Sequence, residues 1–309
     1  MALTKAESPF FHEYFSEWIE LYKQGAVRPI TYQKYLMTLR RLSELAPSLK
    51  ICEIDKRSYQ SLLNEYAQTH EKQTTVDFHN HLKSAMLDAV DEGLLSSDPT
   101  RKVIIKGKTP TKKKPKFISQ FELQALLSAL VLTGKATWDW LILLVAKTGL
   151  RFSEALALTP NDFDFALKKV KINKTWNYKK SEGSFGDTKN SSSKRTLSID
   201  LQLNKQFFKL TRGLPPDKPI FVYGRVFNST INNRLKSLCI KANVPVISLH
   251  SLRHTHASLL IFAGVSIASI AKRLGHSSIT TTQETYLHII QELESQDNDK
   301  IIRHLSKLI

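Results

Sequence analysis

Apolar and aromatic side chains recur at helical spacing along the first hundred residues, and this pattern predicts a small helical bundle. The clearest stripe spans 8–25 and predicts a buried helix face rather than a platform for stacking bases. It comprises Phe11, Tyr14, Phe15, Trp18, Ile19 and Tyr22. Residue types that cap helix starts predict three more helices, from Thr31 to about Leu45, from Ser58 to about Thr69, and from Thr74 or Thr75 to about Gly93.

From residue 118 onward, the pattern mixes helices with short strands. Ser119 and Glu122 have the spacing of a capping box ahead of an apolar helical run. Alternating or β-rich segments predict a small antiparallel sheet from 162–165, 169–176 and 194–199. Apolar periodicity predicts helices at 136–148, 227–242, 249–262 (closed by Gly264), 266–274 and 278–290. The predicted fold class is therefore mainly α with a small antiparallel β-sheet.

A change of composition separates the two patterns. Residues 107–117 contain Gly107, Pro110 and Pro115 beside three consecutive lysines, which predicts a partly extended linker. The predicted organisation is a helical domain at 1–106, this linker at 107–117 and a second domain at 118–309. Apolar residues at 301, 302, 305, 308 and 309 predict a tail helix over about 291–309, which packs either on its own domain or on a neighbouring protomer.

Composition narrows the class of protein. A chain of 309 residues can hold two hydrophobic cores. No apolar run reaches the roughly 18–20 residues that span a bilayer, and the N-terminus lacks the basic-then-apolar pattern of a signal peptide. Cys52 and Cys239 are isolated and lack metal-ligand spacing, which predicts free thiols in a reducing cytoplasm.

The net charge of +17 is concentrated in part of the chain. Residues 1–100 hold 11 basic and 14 acidic residues, whereas 101–117 hold 8 basic residues and no acidic ones. Residues 118–309 hold 26 basic and 14 acidic residues. A basic linker and a basic second domain predict a polyanionic partner, because lysines beside a nucleic-acid duplex gain affinity by releasing counterions.

The residues with chemical potential cluster toward the C-terminus. His250-Ser-Leu-Arg253, Leu274-Gly-His276 and Tyr286 fall within 37 residues, and Arg151 lies upstream. Guanidinium groups match the charged oxygens of a pentacoordinate phosphate, and a histidine moves protons near neutral pH. A tyrosine hydroxyl can attack and leave a covalent intermediate. The set has the residue types that metal-free attack on a phosphodiester requires.

Three blocks around these residues carry a family resemblance. They read TGLRFSEALAL at 148–158, HSLRHTHASLL at 250–260 and LGHSSITTTQETYLH at 274–288. In order, spacing and flanking residues they resemble the catalytic blocks of the tyrosine recombinases, the phage integrase family. The resemblance is specific over about 118–290 and looser over 8–106. It implies a helical core-binding (SAM-like) domain and a tyrosine-recombinase catalytic domain, joined by the linker and closing around DNA like a clamp.

The resemblance implies catalytic roles for five of the residues in these blocks. Arg151 and Arg253 would clamp the scissile phosphate, and His276 would donate a hydrogen bond to it. His250 would help to activate the nucleophile or hold the phosphate. Tyr286 would be the nucleophile, and its attack would leave a 3′-phosphotyrosyl bond.

A sixth catalytic residue is expected to be a lysine in the sheet hairpin. Lys189 fits the family's context best, with Asn190 where threonine is usual, and it would protonate the departing 5′-hydroxyl. Lys194 is the competing candidate, and Lys179 and Lys180 are weaker ones. Ser251 occupies a position that is commonly acidic in the family.

Further residues are expected to support these or to contact DNA. Glu154 would pair with Arg151 and hold it in place. Arg195 would contact a backbone phosphate, and so would the linker lysines Lys112, Lys113 and Lys114. The helix beginning at 74 or 75 would face a groove with Thr74, Thr75, His79, Asn80 and Lys83.

The remaining histidines of the second block are expected to be structural. His254 and His256 are predicted to point to faces other than that of His250. The spacing of His250 and His254 could suit zinc, but Ser251 stands where zinc proteases have glutamate. Because the implied chemistry is isoenergetic, neither a metal nor a cofactor is predicted.

The resemblance implies a site-specific recombinase or integrase that integrates or excises a mobile element. The implied partners are a double-stranded recombination site, a homotetramer on paired sites and accessory directionality or DNA-bending proteins, with no membrane. The implied location is the cytoplasm, with nucleoid association. Chromosome-dimer resolution is a neighbouring possibility within the family. A type IB topoisomerase and a non-catalytic DNA-binding remnant are the alternatives outside it. Many integrases have an arm-binding domain ahead of the position of Pro9, so the protein works without one or the sequence is a truncated form.

Overall fold

The computed structural model describes residues 8–109, 115–179 and 182–287, together with Ser306. The predicted contacts of Lys112, Lys113 and Lys114 lie outside the described residues, and so does the predicted tail helix apart from Ser306. The chain divides into two compact units, Met1–Lys113 and Lys114–Ile309. Each unit has a hydrophobic core built from its own residues. The mainly α class with small antiparallel sheets is confirmed.

The first unit is a helical bundle. The predicted aromatic stripe of its first helix forms part of the core, except that Tyr22 is 44% exposed. The indole nitrogen of Trp18 donates to Asp88 over 2.6 Å, so the polar atom of this buried ring has a partner. The helices are α1 (Phe11–Lys23), α2 (Pro29–Leu45), α3 (Lys56–Ala67) and α4 (Lys72–Asp91), with a 3-10 turn at Ile51–Glu53.

Three predicted helix starts in this unit are wrong, because the supposed caps lie inside the first turn. Pro29 begins α2, since its restricted backbone angle suits the first helical position. Asp55 caps α3: its carboxylate accepts from the backbone of Ser58, and the Ser58 hydroxyl accepts from the backbone of Asp55. Glu71 precedes α4, which places the threonines at 74 and 75 within the helix.

The second unit holds further helices and the strands. Neither α8 nor β4 is among the predicted elements, and β4 is too short to show alternation. The helices are α5 (Gln120–Ser128), α6 (Trp138–Thr148), α7 (Phe152–Leu156), α8 (Leu201–Thr211), α9 (Asn228–Lys241), α10 (Leu249–Phe262), α11 (Ile267–Leu274) and α12 (279–287). The strands are β1 (Phe163–Asp164), β2 (Lys169–Ile172), β3 (Thr175–Trp176), β4 (Phe185–Gly186) and β5 (Arg195–Ser198).

The strands form two small antiparallel sheets. One has the order β1-β2-β5, with Val170 opposite Leu197, so the two buried apolar side chains share a face. The other pairs β3 with β4, with Trp176 opposite Phe185. The chain between β4 and β5 contains Lys189 and a 3-10 turn at Ser191–Ser193. The loop that contains Lys189 therefore leads directly into β5.

The packing of α6 positions the sequence block at 148–158. Its residues from 139 to 146 are all buried, and it packs on α10. It ends at Gly149, whose φ is 68°. A Cβ at Gly149 would lie 2.7 Å from Cδ2 of His256, so both the backbone angle and the close approach favour glycine. This turn delivers the chain to Arg151.

Two simpler features complete the fold. No helix in the described part of the chain is long and apolar enough to cross a membrane. Cys52 is partly buried and Cys239 is buried in α9, and both are free thiols.

Candidate active site

Four segments of the second unit present five of the six predicted catalytic residues. Arg151 lies at the N-cap of α7, and His250 and Arg253 lie on the first turns of α10. His276 follows α11, and Tyr286 lies on α12. The charge of Arg253 acts on both of these histidines and on Tyr286, and the charge of Arg151 acts on the two histidines and on Arg253. These five residues therefore form one cluster.

Arg253 is buried without a neutralising carboxylate in its hydrogen bonds. It is 3% exposed, and its Nη1 and Nη2 donate to the carbonyls of Gly149 and Leu274, each over 2.7 Å. Burial and the charge of Arg151 lower the pKa of Arg253 below its ordinary value, yet a guanidinium keeps its proton at neutral pH. A buried cation held by neutral carbonyls is stabilised by an anion such as phosphate.

Arg151 is oriented by Glu154 and keeps part of its surface open. The Glu154 carboxylate is 1% exposed and accepts from Nη1 of Arg151 over 2.7 Å and from its backbone over 3.0 Å. Burial acts to raise the pKa of Glu154, but Arg195 and Arg151 outweigh it, so the carboxylate stays ionised. Nη2 of Arg151 donates to the carbonyl of Gly275 over 3.0 Å, and its side chain is still 25% exposed. The guanidinium is thus fixed in direction but accessible.

The prediction that Arg195 contacts a DNA phosphate is wrong. Its side chain is 5% exposed, and its Nη2 and Nη1 donate to the Glu154 carboxylate over 3.0 and 3.3 Å. Its Nε donates to the carbonyl of Arg273 over 2.6 Å, and its Nη1 also donates to that of Ser193. With these donors directed inward, Arg195 holds Glu154 in place and acts on Arg151 through it.

His256 has the structural role expected of it. It is 8% exposed and lies between α6 and α11, with its Nδ1 3.0 Å from the carbonyl of Ala146. Arg273 donates from Nε to its Nε2 over 2.9 Å. Burial and Arg273 lower the pKa of His256 to about 4, so the ring is neutral at neutral pH. These two hydrogen bonds join α10, which carries His250 and Arg253, to α6 and α11.

His276 is oriented by the start of α12. Its Nδ1 lies 2.7 Å from the hydroxyl of Thr282, and the left-handed Gly275 directly before it turns the chain out of α11. Burial, then Arg253 and Arg151, lower the pKa of His276 to about 4. A neutral imidazole with one nitrogen held by Thr282 can donate from the other to a phosphate oxygen.

His250 belongs to a cavity of about 390 Å³ beside Arg151. The cavity is also lined by Ser153, Tyr178 and Asn232. Loss of hydration and the charges of Arg253 and Arg151 lower the pKa of His250. The ring is therefore directed to the same space as the accessible guanidinium of Arg151.

The expectation that His254 points away from the catalytic cluster is wrong. Its Nδ1 lies 2.9 Å from the hydroxyl of Tyr286, which is 2% exposed. Burial raises the pKa of Tyr286 to about 12, and burial with His250 and Arg253 lowers that of His254 to about 4. The spacing could have indicated this contact, since residues four apart share a helix face.

The two candidate lysines flank the short turn ahead of β5. Lys189 and Lys194 are both exposed, one on each side of the turn at Ser191–Ser193. Asn190 caps this turn, since its side-chain oxygen accepts from the backbone of Ser193 over 3.1 Å. Asn190 stands where the family usually has threonine. Its capping bond therefore orders the chain directly after Lys189.

Two of the residues predicted to face a DNA groove from α4 are buried, so that part of the prediction is wrong. Thr75 is 0% exposed, and its hydroxyl donates to the carbonyl of Glu71 within the helix. His79 is 9% exposed, and its Nδ1 lies 3.0 Å from the hydroxyl of Tyr59. The other three, Thr74, Asn80 and Lys83, are exposed.

The arrangement combines an anion site with a hydroxyl nucleophile. Two guanidinium groups and two imidazoles cluster with the phenol of Tyr286, and the charge of Arg253 acts on both imidazoles and on the phenol. In the described ranges, no group of three or more His, Cys, Asp or Glu residues could hold a metal ion. The side chains alone can bind a phosphodiester and attack it.

Comparison with known proteins agrees with this chemistry. The model of the phage integrase family matches residues 116–292. The integrase of Staphylococcus phage L54a is 26% identical, over 94% of this chain and 92% of that protein. The ICEBs1 integrase of Bacillus subtilis (strain 168) is 26% identical over 87% of this chain and 76% of that protein. The tyrosine recombinase XerC of the same strain is 26% identical over 92% and 93%.

Solved structures share the fold at low sequence identity. The Tn1549 transposon integrase in complex with a circular intermediate DNA has a TM-score of 0.75 and 18% identity, over 90% of this chain and 94% of that one. The XerH site-specific recombinase bound to its difH substrate has a TM-score of 0.61 and 19% identity, over 82% and 75%.

Proposed function

Because this chain belongs to the phage integrase family and is a site-specific tyrosine recombinase, we propose that Tyr286 is the nucleophile with which it cuts and rejoins DNA. The observation that carries this assignment is the phenol of Tyr286 buried beside Arg253, a buried cation whose hydrogen bonds go to neutral carbonyls. A phosphodiester between them neutralises the guanidinium and presents phosphorus to the hydroxyl. Nothing in the comparisons favours a topoisomerase or a non-catalytic remnant.

The reaction transfers the DNA strand to the protein and back. Tyr286 attacks the scissile phosphate, forms a 3′-phosphotyrosyl bond and releases a 5′-hydroxyl. Arg151 and Arg253 hold the charge that develops on the equatorial oxygens, and His276 and His250 donate hydrogen bonds to them. The attack of a 5′-hydroxyl from the partner strand then reverses the step. Since the phosphotyrosyl bond conserves the energy of the phosphodiester, neither ATP nor a metal is required.

Lys189 supplies the proton for the departing 5′-oxygen. An exposed lysine on an ordered turn ahead of β5 can reach a phosphate that is bound in the site. Protonation of an alkoxide leaving group lowers the barrier to its departure. Lys194 is the matched alternative on the other side of the same turn. Comparing Lys189→Ala with Lys194→Ala on one substrate distinguishes them, because only loss of the acid slows cleavage by orders of magnitude.

The partner is DNA, and the solved relatives named above were determined with DNA bound. We infer that recombination uses a homotetramer on paired sites. A groove of about 830 Å³ between β5 and α11 supports this, because Leu260, Val265 and Ile279 line it and keep apolar surface exposed. The apolar spacing of segment 291–309 suits it to fill this groove on a neighbouring protomer. Deleting 291–309 should abolish paired-site complexes in native mass spectrometry while leaving binding to one duplex intact.

The biological context is proposed from the relatives. The integrase of Staphylococcus phage L54a is among them and supports integration or excision of a mobile element, while the XerC recombinase that matches at equal identity keeps chromosome resolution as the alternative. Such a reaction takes place in the cytoplasm on nucleoid DNA, and accessory proteins that bend DNA or set direction would assist it.

Covalent capture tests the assignment of Tyr286. Nicked duplexes of randomised sequence are incubated with the protein in EDTA, and adducts that survive denaturation are sequenced and mapped by mass spectrometry. Wild type should form a 3′-linked adduct on Tyr286, and Tyr286→Phe should form none. Tyr178→Phe is the matched control, since Tyr178 lines the cavity beside Arg151 and should be dispensable for linkage. A requirement for metal, or linkage through another residue, would contradict the mechanism.

A further inference from the structure

The hydroxyl of Tyr286 has an imidazole as its hydrogen-bond partner. Nδ1 of His254 lies 2.9 Å from the phenolic oxygen, and the two rings meet edge to face at 5.8 Å. Tyr286 packs with apolar residues of α10 and α11 and is 2% exposed. A buried phenol loses its proton most readily to a group that touches it, because solvent has little access.

His250 has a different environment, although it belongs to the histidine motif that the family resemblance singled out. It lines the cavity with Arg151, and neither Tyr286 nor His254 lines that cavity. Its ring meets that of His254 edge to face at 4.7 Å, one helical turn away. The first turns of α10 thus direct one imidazole toward the accessible guanidinium and the next toward the nucleophile.

From this geometry we propose that His254, rather than His250, receives the proton of Tyr286 during cleavage, an inference that rests on the proposed role of Tyr286 as nucleophile. In the tautomer with its proton on Nε2, His254 accepts a hydrogen bond from the phenol at Nδ1. As Oη bonds to phosphorus, the O–H bond breaks and the proton moves to Nδ1. The bond from phosphorus to O5′ breaks, and that oxygen takes a proton from Lys189. Rejoining reverses each transfer, and His254 returns the proton to Oη.

The charges around His254 make this proton transfer depend on DNA. Arg253 and His250 act on it from α10, His276 is coupled to it from the end of α11, and Lys116 acts on it from the chain ahead of α5. Among the described residues, these and Tyr286 are the titratable and charged groups that face it. Burial and the cations keep His254 neutral and able to accept a hydrogen bond at neutral pH. A phosphodiester held by the arginines offsets that positive charge and raises the basicity of His254. The phenol is therefore activated when its target is in place.

Single-turnover cleavage tests the proposal on the duplex recovered by covalent capture. His254→Asn retains an acceptor near the position of Nδ1 but cannot take a proton at neutral pH, and His254→Phe retains only the ring. Loss of a general base should slow cleavage by about 100-fold or more. In both variants the rate should then rise about tenfold per pH unit between pH 7 and 9, because only tyrosinate formed by solvent attacks. The wild-type rate should be nearly flat over that range.

A duplex with sulfur in place of the bridging 5′-oxygen separates the base from the acid. The thiolate leaves without protonation, so this substrate should restore cleavage by Lys189→Ala and should not restore it in His254→Asn. His250→Asn should be slow on both substrates and show no tenfold pH slope. Gel-shift binding and circular dichroism identify any variant that fails to bind or fold, and His254→Gln then takes its place in the pH series.

Three results would overturn the proposal. These are cleavage by His254→Asn at the wild-type rate, a slow rate in all His254 variants without the pH slope, and the slope appearing in His250→Asn instead. Failure of the proposed function looks different, because wild type itself would then form no adduct that depends on Tyr286.

Discussion

Arg273 donates from Nε to Nε2 of His256 over 2.9 Å, and this bond defines the tautomer of a buried histidine. Since Nε2 accepts, the ring proton is on Nδ1 and is donated to the carbonyl of Ala146 over 3.0 Å. Protonation of His256 would remove the acceptor that Arg273 uses and place a second cation beside it. The histidine therefore joins α6, α10 and α11 only while it is neutral.

The first prediction follows from this neutral histidine and concerns stability in acid. Burial lowers the folded-state pKa of His256 to about 4, whereas an unfolded histidine titrates near about 6.5. Between these values the unfolded chain binds more protons, so stability falls as pH drops through this window, by up to about 3 kcal/mol in all. Urea unfolding of full-length wild type and His256→Asn between pH 4 and 8 measures it.

The variant serves as the control for the other titrating groups. Asparagine can still donate to Ala146 but does not titrate, so the stability gap between wild type and variant should narrow as pH falls below about 6.5. Above that pH the gap should be constant. A gap that stays constant down to pH 4 would show that His256 is not the group responsible.

The second prediction concerns the turn at Gly149. A Cβ there would lie 2.7 Å from Cδ2 of His256 and 2.9 Å from Cδ2 of Leu274, and φ is 68°. Gly149→Ala should cost about 1–2 kcal/mol for the left-handed backbone and about 1–3 kcal/mol for overpacking. Cleavage should fall as well, because the Gly149 carbonyl holds Arg253. Thermal unfolding and the covalent-adduct assay report the two effects.

Gly213 provides a matched control for that substitution. It also has a positive φ, 84°, but a Cβ there would meet nothing within 4 Å. Gly213→Ala should therefore show only the backbone cost and leave cleavage unchanged. Equal losses in the two variants would mean that the contacts with His256 and Leu274 do not matter.

Long-range contacts such as those of Gly149 with His256 and Leu274 could not be predicted from the sequence. The sequence pattern found both α6 and α10, and α6 was the clearer of the two because a helix buried on several sides leaves a long apolar run. The predicted starts of α2 and α4 were wrong. Arg28 and Glu71 precede these helices although neither is a typical cap, and the first turn of each helix contains a threonine that is one. Local sequence patterns favour the threonines as caps, whereas the tertiary fold decides where each helix begins.

The residues of the site likewise divide into those that the sequence predicted and those that it did not. The five catalytic candidates could be recognised because they lie in three sequence blocks. By contrast, Glu154, the partner of Arg195, lies 41 positions away in the chain. A pairing at that separation leaves no periodic signal, so an arginine in a basic segment was expected to contact DNA. The pairing of His254 with Tyr286 is also long-range, and only the i, i+4 spacing from His250 gave a hint of it.

The third prediction concerns anion binding at Arg253. Sulfate resembles the phosphate group for which the arginines are arranged, and at ten times its Kd it should stabilise the protein by about 1.4 kcal/mol. That corresponds to a rise in Tm of about 3–6 °C for the unit that binds it. Scanning calorimetry should compare sodium sulfate with sodium chloride at equal ionic strength.

Arg253→Gln should lose this rise in Tm, because the buried charge that attracts the anion is gone. Arg212→Gln removes an exposed arginine after α8 and should retain it, which controls for a general salt effect. An equal rise in all three proteins would mean that sulfate acts by exclusion from the surface rather than at the site.

The fourth prediction tests what remains of the proposed DNA face on α4. Lys83 is exposed there with Thr74 and Asn80, whereas Thr75 and His79 belong to the core. If Lys83 contacts a phosphate, Lys83→Ala should weaken binding and reduce the slope of log K against log salt by about 1. Fluorescence anisotropy in the Tyr286→Phe background measures binding without cleavage. Lys56→Ala, which removes an exposed lysine at the start of α3, should leave the slope unchanged. Equal slopes for wild type and Lys83→Ala would exclude this lysine from the interface, and equal losses in both lysine variants would indicate diffuse charge attraction instead of a defined face.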